Sequence, residues 1–305
     1  MTTIAEPIVL PPGVALGILA FLLSLLPAAL FLWLWYLRRR DRPVPARVIG
    51  LGFLLGMVLV VPAFFLERKA PEWWIALSPS TAHYFDGALL PLQTLGDLFL
   101  PAIGTFLIVA TVEEGVRYLG LTWWFRKSKA IDQIFDGLLV GLAAGLGFAT
   151  VENTLYFFQL FSAGNFNTLV FVFFLRFLVS TLAHISFGGL MGAMLARATF
   201  SIYRPKLLYW YAFILPWFLH GLYDWLLAVN QVLYAVLVLV APLIVLVVWS
   251  NRREFLVINR DEQGLNVLQQ APRQATSGSE NSAWNKNAPW LATLRSNSGK
   301  TKHRK

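Results

Sequence analysis

Long apolar runs alternate with short polar or basic stretches along most of this chain, and the runs have the length of membrane spans. A helix rises 1.5 Å per residue, so roughly 20 apolar residues cross a hydrocarbon core ~30 Å thick. Seven segments qualify: Val14–Leu37, Ala46–Leu66, Leu98–Phe125, Asp136–Phe161, Thr168–Ala196, Leu208–Ala228 and Val232–Trp249. The connections between them alternate in charge. Those after the first, third, fifth and seventh runs carry Arg38, Arg39, Arg40, Arg42 and Arg47, then Arg126, Lys127 and Lys129, then Arg197, Arg204 and Lys206, then Arg252 and Arg253. The other connections carry only Arg68 and Lys69. Cytoplasmic loops gather Lys and Arg, so the pattern predicts an N-terminus outside and a C-terminus in the cytoplasm. The expected fold is all-α, a polytopic membrane helix bundle of about seven transmembrane helices. The first run is too long for a signal-peptide core, lacks a basic leader and ends in Arg38-Arg39-Arg40, so a retained first helix is expected.

The organisation follows from the same pattern. Residues 1–97 hold two spans and an outer loop, 98–250 form the core, and 251–305 are expected to be a cytoplasmic, largely disordered basic tail. Between Glu67 and Gly96, Trp73-Trp74 and several prolines suggest a segment anchored at the membrane interface. Residues 270–305 are rich in Ser, Asn, Gln, Lys and Arg without apolar periodicity. No internal repeat is visible.

Composition agrees with the pattern. Of 305 residues 57% are hydrophobic and only 13% charged, about half the charge of a soluble domain. The net charge of +9 lies largely in the basic loops and tail, so it needs no nucleic-acid partner. The chain has no cysteine, which excludes thiolate nucleophiles and Cys-based metal sites.

Against this apolar background the polar residues inside the runs stand out. A charge at bilayer depth costs at least ~2.5–3.5 kcal/mol and marks a functional site by default. The third run holds Glu113, Glu114 and Arg117; the fourth Glu152 and Asn153; the fifth Arg176 and His184; the sixth His220 and Asp224. Counting back from each cytoplasmic end, Glu113, His184 and His220 lie ~20 Å deep and Glu152 ~24 Å deep. The chain reverses direction between these helices, yet the depths converge near mid-membrane. One buried cluster is the simplest account. Arg117 is three and four residues from the two glutamates and is expected to pair with one of them. Arg176 is placed to snorkel or to pair with Glu152, Asn153 to tie helices together, and Asp224 to orient His220 one turn before it. Glycines at 137, 141 and 145, and again at 188 and 192, allow close helix packing.

The chemistry these groups allow is narrow. No Ser/His constellation occurs at matching depth, only one mid-span Asp is present, and the string His-Glu-x-x-His of zinc peptidases is absent. What remains is Glu with His acting on water. A carboxylate withdrawn from water becomes a stronger base, and a second His can stabilise an oxyanion. The residues leave open an alternative in which two His and one or two Glu hold zinc.

The motifs then acquire a resemblance. Glu113-Glu114-x-x-Arg117, Phe135-Asp136-Gly137-x3-Gly141-x5-Gly147-Phe148-Ala149-x2-Glu152-Asn153-x2-Tyr156, Arg176-x7-His184 and His220-Gly221-x2-Asp224 resemble, in order, the PrsW family of intramembrane proteases. That family is related to CAAX prenyl endopeptidases and bacteriocin-processing proteases, and the resemblance covers about residues 98–228. It usually has Lys where this chain has Arg117. The resemblance implies a glutamic-type intramembrane endopeptidase in which Glu113 activates water with His184, Glu114 pairs with Arg117 or supports the site, and His220 with Asp224 stabilises the oxyanion. Glu152 and Asn153 would support the site. Related enzymes imply a metal-free mechanism, zinc being the variant. The implied substrates are single-pass or membrane-anchored regulators such as anti-sigma factors, in the plasma membrane. Two other classes fit the buried polar groups: a non-catalytic seven-helix scaffold, like the distantly related γ-secretase scaffold subunit, and a proton-coupled transporter, which lacks the expected inverted repeats.

Overall fold

The computed structural model describes residues 11–37, 44–77, 95–128, 131, 134–201, 204–251, 256–260 and 266–270. Seven helical rods occupy the seven predicted runs. In chain order the α-helices are α1 (Pro12–Leu32), α2 (Ala46–Leu77), α3 (Leu95–Ile103), α4 (Thr111–Lys127), α5 (Ile134–Ser162), α6 (Phe166–Leu175), α7 (Thr181–Phe200), α8 (Pro205–Ala228) and α9 (Val232–Asn251). Among the described residues three stretches wind as π-helix: Trp33–Leu37 continues α1, Gly104–Ala110 joins α3 to α4, and Arg176–Ser180 joins α6 to α7. Four rods are long and apolar enough to cross a membrane, spanning Pro12–Tyr36, Ala46–Trp73, Ile134–Ser162 and Phe166–Phe200, and Val232–Val248 is a shorter apolar helix. The chain is thus a multi-pass helical membrane protein. The rods containing α4 and α8 carry most of the buried acids and histidines.

Helix α5 is the axis of the bundle. From Gly137 to Ala149 it is apolar on every side, which suits a helix enclosed by others rather than one facing lipid. Its residues from Phe135 to Thr150 are all buried, packed against α7 on one side and α2 and α1 on another. The small residues set the spacing. A Cβ on Gly141 would stand 2.1 Å from the Gly188 carbonyl oxygen, and one on Gly145 would stand 2.2 Å from that of His184. Backbone thus lies directly on backbone between α5 and α7, and this fixes where α7 presents His184.

Two segments differ from the expectations. Helix α2 runs eleven residues past Leu66, to Leu77, so the first part of the expected outer loop is a continuation of the span. Its residues are compatible with helix, and Lys69 and Glu72 pair at 2.8 Å on its exposed side. Within the tail expected to be largely disordered, β1 (Leu256–Arg260) pairs antiparallel with β2 (Asn266–Gln270), Ile258 opposite Leu268. The run Leu256-Val257-Ile258 supplies residues that favour strands. The rest of the interfacial loop, at 78–94, and residues 271–305 lie outside the described residues.

Candidate active site

The nine polar residues singled out in the sequence come together in one cluster at the junction of four rods. Helix α4 contributes Glu113, Glu114 and Arg117, and α5 contributes Glu152 and Asn153. The π segment before α7 contributes Arg176, α7 itself His184, and α8 His220 and Asp224. Glu113, Glu114, Arg117, Asn153, His184 and His220 are buried.

Arg117 is the centre of the cluster. Its Nη2 donates to Glu113 Oε2 at 2.8 Å, and its Nη1 lies 3.0 Å from Glu114 Oε1. The sequence suggested that one glutamate would be left over, but the guanidinium fork spans both, because residues three and four positions back share one helical face. The face of Phe148 lies 4.4 Å from the same guanidinium. Arg117 Nη2 also stands 3.3 Å from His184 Nδ1. A guanidinium only donates, so Nδ1 accepts and the ring proton belongs on Nε2. That nitrogen faces Glu152 Oε2 at 2.6 Å.

A second fork mirrors the first. Arg176 donates from Nη2 to Glu152 Oε1 at 2.7 Å and from Nε to Asn153 Oδ1 at 2.5 Å, with its guanidinium over the ring of Tyr156. Arg176 therefore pairs with Glu152 inside the protein. His220 is held between two acids, Nδ1 at 2.7 Å from Glu114 Oε1 and Nε2 at 3.2 Å from Asp224 Oδ2, and stacks on Phe187. Glu113 Oε2 lies 3.9 Å from His184 Nδ1 and 4.0 Å from His220 Nε2. Both gaps are too long for direct hydrogen bonds, and both admit one oxygen atom ~2.8 Å from each side.

The π segments matter to this geometry. A π turn adds one residue to a helical turn and frees a carbonyl, and such bulges gather at functional sites. Thr111 donates from Oγ1 to the Phe106 carbonyl at 2.7 Å, five residues back, and Thr181 donates likewise to the Arg176 carbonyl at 2.9 Å. Each hydroxyl is in turn held from another helix. Trp217 Nε1 donates to Thr111 Oγ1 at 2.9 Å, and Asn153 Nδ2 donates to Thr181 Oγ1 at 3.2 Å. Each clamp lies within one turn of the residues facing the site.

A cavity of about 540 Å³ opens onto the cluster. Glu113, Glu152, Arg176, His184, His220 and Asp224 line it, and so does Glu67 of α2. Glu114 does not; it lies behind, fully buried. Sequence reasoning misses Glu67 because the apolar run ends at Leu66, where Glu67, Arg68 and Lys69 begin a charged stretch. A signal was present: Val60, Ala63, Phe64 and Glu67 share one helical face, and all four line the cavity.

Glu113, Glu152 and His184 could hold a metal ion, each offering one donor atom within 4.8 Å of the others. Two carboxylates and an imidazole suit zinc in kind. Glu152 Oε2 is buried and, although His184 Nε2 is 2.6 Å away, the pair lacks the alignment of a hydrogen bond, so this oxygen is unsatisfied. The donor set fits a metal.

Comparison with known proteins follows the same lines. A family model described as PrsW family intramembrane metalloprotease matches residues 44–250, extending the motif-based resemblance back over α2. The chain is 28% identical to Protease PrsW of Geobacillus kaustophilus (strain HTA426) over 205 residues, 67% of this chain and 78% of that one. It is 32% identical to Protease PrsW of Shouchella clausii (strain KSM-K16) over 155 residues, 50% of this chain and 68% of the relative. With Protease PrsW of Bacillus subtilis (strain 168) it shares 26% over 232 residues, 75% and 90% of the two chains. No solved structure matches. With a buried cluster of acids and histidines in a multi-pass helical bundle, and a family match over more than half its length, this chain belongs to the PrsW family of intramembrane proteases and is a peptidase.

Proposed function

We propose that Glu113 is the general base of this intramembrane endopeptidase. The observation that carries the assignment is that, of the two adjacent glutamates, Glu113 alone lines the cavity, with its Oε2 about equally distant from the two histidines. A water held against Glu113, beside His184, gives up a proton to Glu113, and its oxygen bonds to the carbonyl carbon of the scissile peptide. His220, held at Nδ1 by Glu114, turns its Nε2 proton from Asp224 to the resulting oxyanion. The C–N bond then breaks as Glu113 returns the proton to the leaving amine. Arg117 holds Glu113 and Glu114 in register, and Arg176 with Asn153 holds Glu152 against His184, so these residues position the reacting groups. Alternation of basic loops supports seven crossings with the N-terminus outside; the plasma membrane is the proposed location. Membrane-anchored regulatory proteins of the anti-sigma kind are the proposed substrates.

A second reading has its own support in the unsatisfied oxygen of Glu152. Glu113, Glu152 and His184 would then hold a zinc ion, which when bound acts as a Lewis acid and acidifies its water. We favour the metal-free course because the Arg117 guanidinium already contacts both Glu113 and His184, where a cation would meet like charge.

The test is cleavage of membrane-protein substrates by detergent-solubilised protein. Glu113→Gln and His184→Ala are expected to reduce turnover at least ~10²-fold while the protein stays folded; full activity of Glu113→Gln would overturn the base assignment, and full activity of His184→Ala the part given to His184. Metal analysis of the purified protein is expected to find no stoichiometric zinc. Zinc that survives dialysis, with activity lost to a chelator, would establish the second reading instead.

A further inference from the structure

Among the described residues, each acid of the cluster has a cationic or imidazole partner: Glu113 and Glu114 have Arg117, Glu152 has Arg176, and Asp224 has His220. Glu67 has none. Its Oε1 is buried without a hydrogen-bond partner, and its carboxyl lines the same cavity. Glu67 is only half-buried, but a carboxylate oxygen that is buried and unpaired is an unfavourable arrangement unless something completes it.

Its place along the cavity narrows what that is. Val60 and Ala63 of α2 pack against Phe148, whose ring lies beside both Arg117 and His184. Glu67 is one turn beyond Ala63, ~6 Å further along α2. Gln159 of α5, Leu227 of α8 and Val232 of α9 line the cavity near the ends of their helices at this same end of the bundle. Glu67 thus stands between the cluster and one end of the cavity, beside the path of a peptide that enters there. An extended peptide advances ~3.3–3.6 Å per residue, so a carboxylate set off by that distance faces a residue within two or three positions of the scissile bond. The lining carries four carboxylates, Glu67, Glu113, Glu152 and Asp224, against a single arginine, Arg176, which is already paired with Glu152.

We propose that Glu67 is a specificity-determining residue whose unpaired carboxylate, on the cavity wall between the catalytic cluster and one end of the bundle, receives a Lys or Arg side chain of the substrate near its scissile bond. The proposal rests on the cavity being the site of cleavage. A charge-assisted hydrogen bond to the substrate cation would complete Glu67 and anchor the peptide relative to Glu113.

The experiment compares new peptide termini produced in host membranes by full-length wild type, Glu67→Gln, Glu67→Lys and Glu113→Gln. Wild type is expected to show Lys or Arg enriched at one fixed position within three residues of the cut. On peptides made from these sites, Glu67→Gln is expected to lose roughly tenfold in kcat/KM, chiefly through KM, relative to the same peptides with a neutral isostere at that position. Glu67→Lys is expected to move the preference toward Asp or Glu. Absence of any basic preference, or the same preference in the Glu67 variants, would overturn the proposal. So would loss of cleavage at every site in Glu67→Gln with a fall in kcat, since that would put Glu67 in the chemistry. Cleavage by Glu113→Gln would overturn the base assignment and leave the preference at Glu67 to be read separately.

Discussion

Replacing Arg117 with methionine tests the central claim about this site, that one guanidinium makes two adjacent buried acids tolerable. Methionine keeps much of the volume and the contact with Phe148 while removing the charge. What is left is Glu113 and Glu114 side by side, both buried, with their contacts at 2.8 and 3.0 Å gone. Removing one partner of a buried ion pair destabilises by about 3–5 kcal/mol, and loss of the cation–π contact contributes about 0.5–2 kcal/mol more. Thermal unfolding in detergent is therefore expected to fall by on the order of 10 °C. Arg117→Lys is expected to lie between, since an ammonium keeps the charge without the two-pronged geometry. The decisive comparison is the double variant Arg117→Met/Glu114→Gln. Neutralising one stranded acid is expected to restore stability by about 1–3 kcal/mol relative to Arg117→Met alone. An Arg117→Met protein that melts within a degree or two of wild type, or a double variant with no recovery, would refute the reasoning.

Two further outcomes follow from the packing. Gly145→Ala sets a methyl against the His184 carbonyl, at a built distance of 2.2 Å, and is expected to lower stability by about 1–3 kcal/mol and to reduce kcat by displacing His184; wild-type values for both would show that α7 is not positioned through this contact. Thr181→Val removes the hydroxyl that satisfies the Arg176 carbonyl and is expected to destabilise by about 1–3 kcal/mol, whereas Thr181→Ser restores stability and turnover together; a serine variant no better than valine would count against the clamp.

How much of this was legible in the sequence depends on which coordinate is meant. Depth was legible, because helical rise is constant and each of these spans meets a charged residue at its cytoplasmic end, Arg126, Asp136, Arg197 or Lys206; counting from them puts Glu113, Glu152, His184 and His220 near one level. Azimuth was not. Whether Arg117 meets one glutamate or two, and whether His184 lies nearer Glu152 than Glu113, depends on how far each helix is turned about its axis. That turn is set in part by the π segments, and the threonines that pin them look like ordinary intramembrane threonines in the sequence. Glu67 was lost for a different reason. A charged residue after twenty apolar ones reads as a helix end, and only the continuation of α2 to Leu77 returns it to the wall of the cavity. The β-hairpin beyond Asn251 escaped because two five-residue strands leave little periodicity amid polar neighbours.

The π segments of the third and fifth rods also bear on how chains of this kind can change in length. Each contains one residue more than an α-helix needs for the same turns, and so rotates everything after it by ~100° relative to everything before it. The part of the rod before the bulge and the part that carries Glu113 or His184 are therefore free to drift in sequence under separate constraints. A one-residue difference between relatives falling in Gly104–Ala110 or Arg176–Ser180 would exchange a π turn for an α turn and leave the helix on either side intact. The same difference between Glu113 and Arg117 would swing the guanidinium away from the acids it holds. Aligned relatives should accordingly place their single-residue gaps at these two joints and keep the interval from Thr111 to Arg117 unbroken.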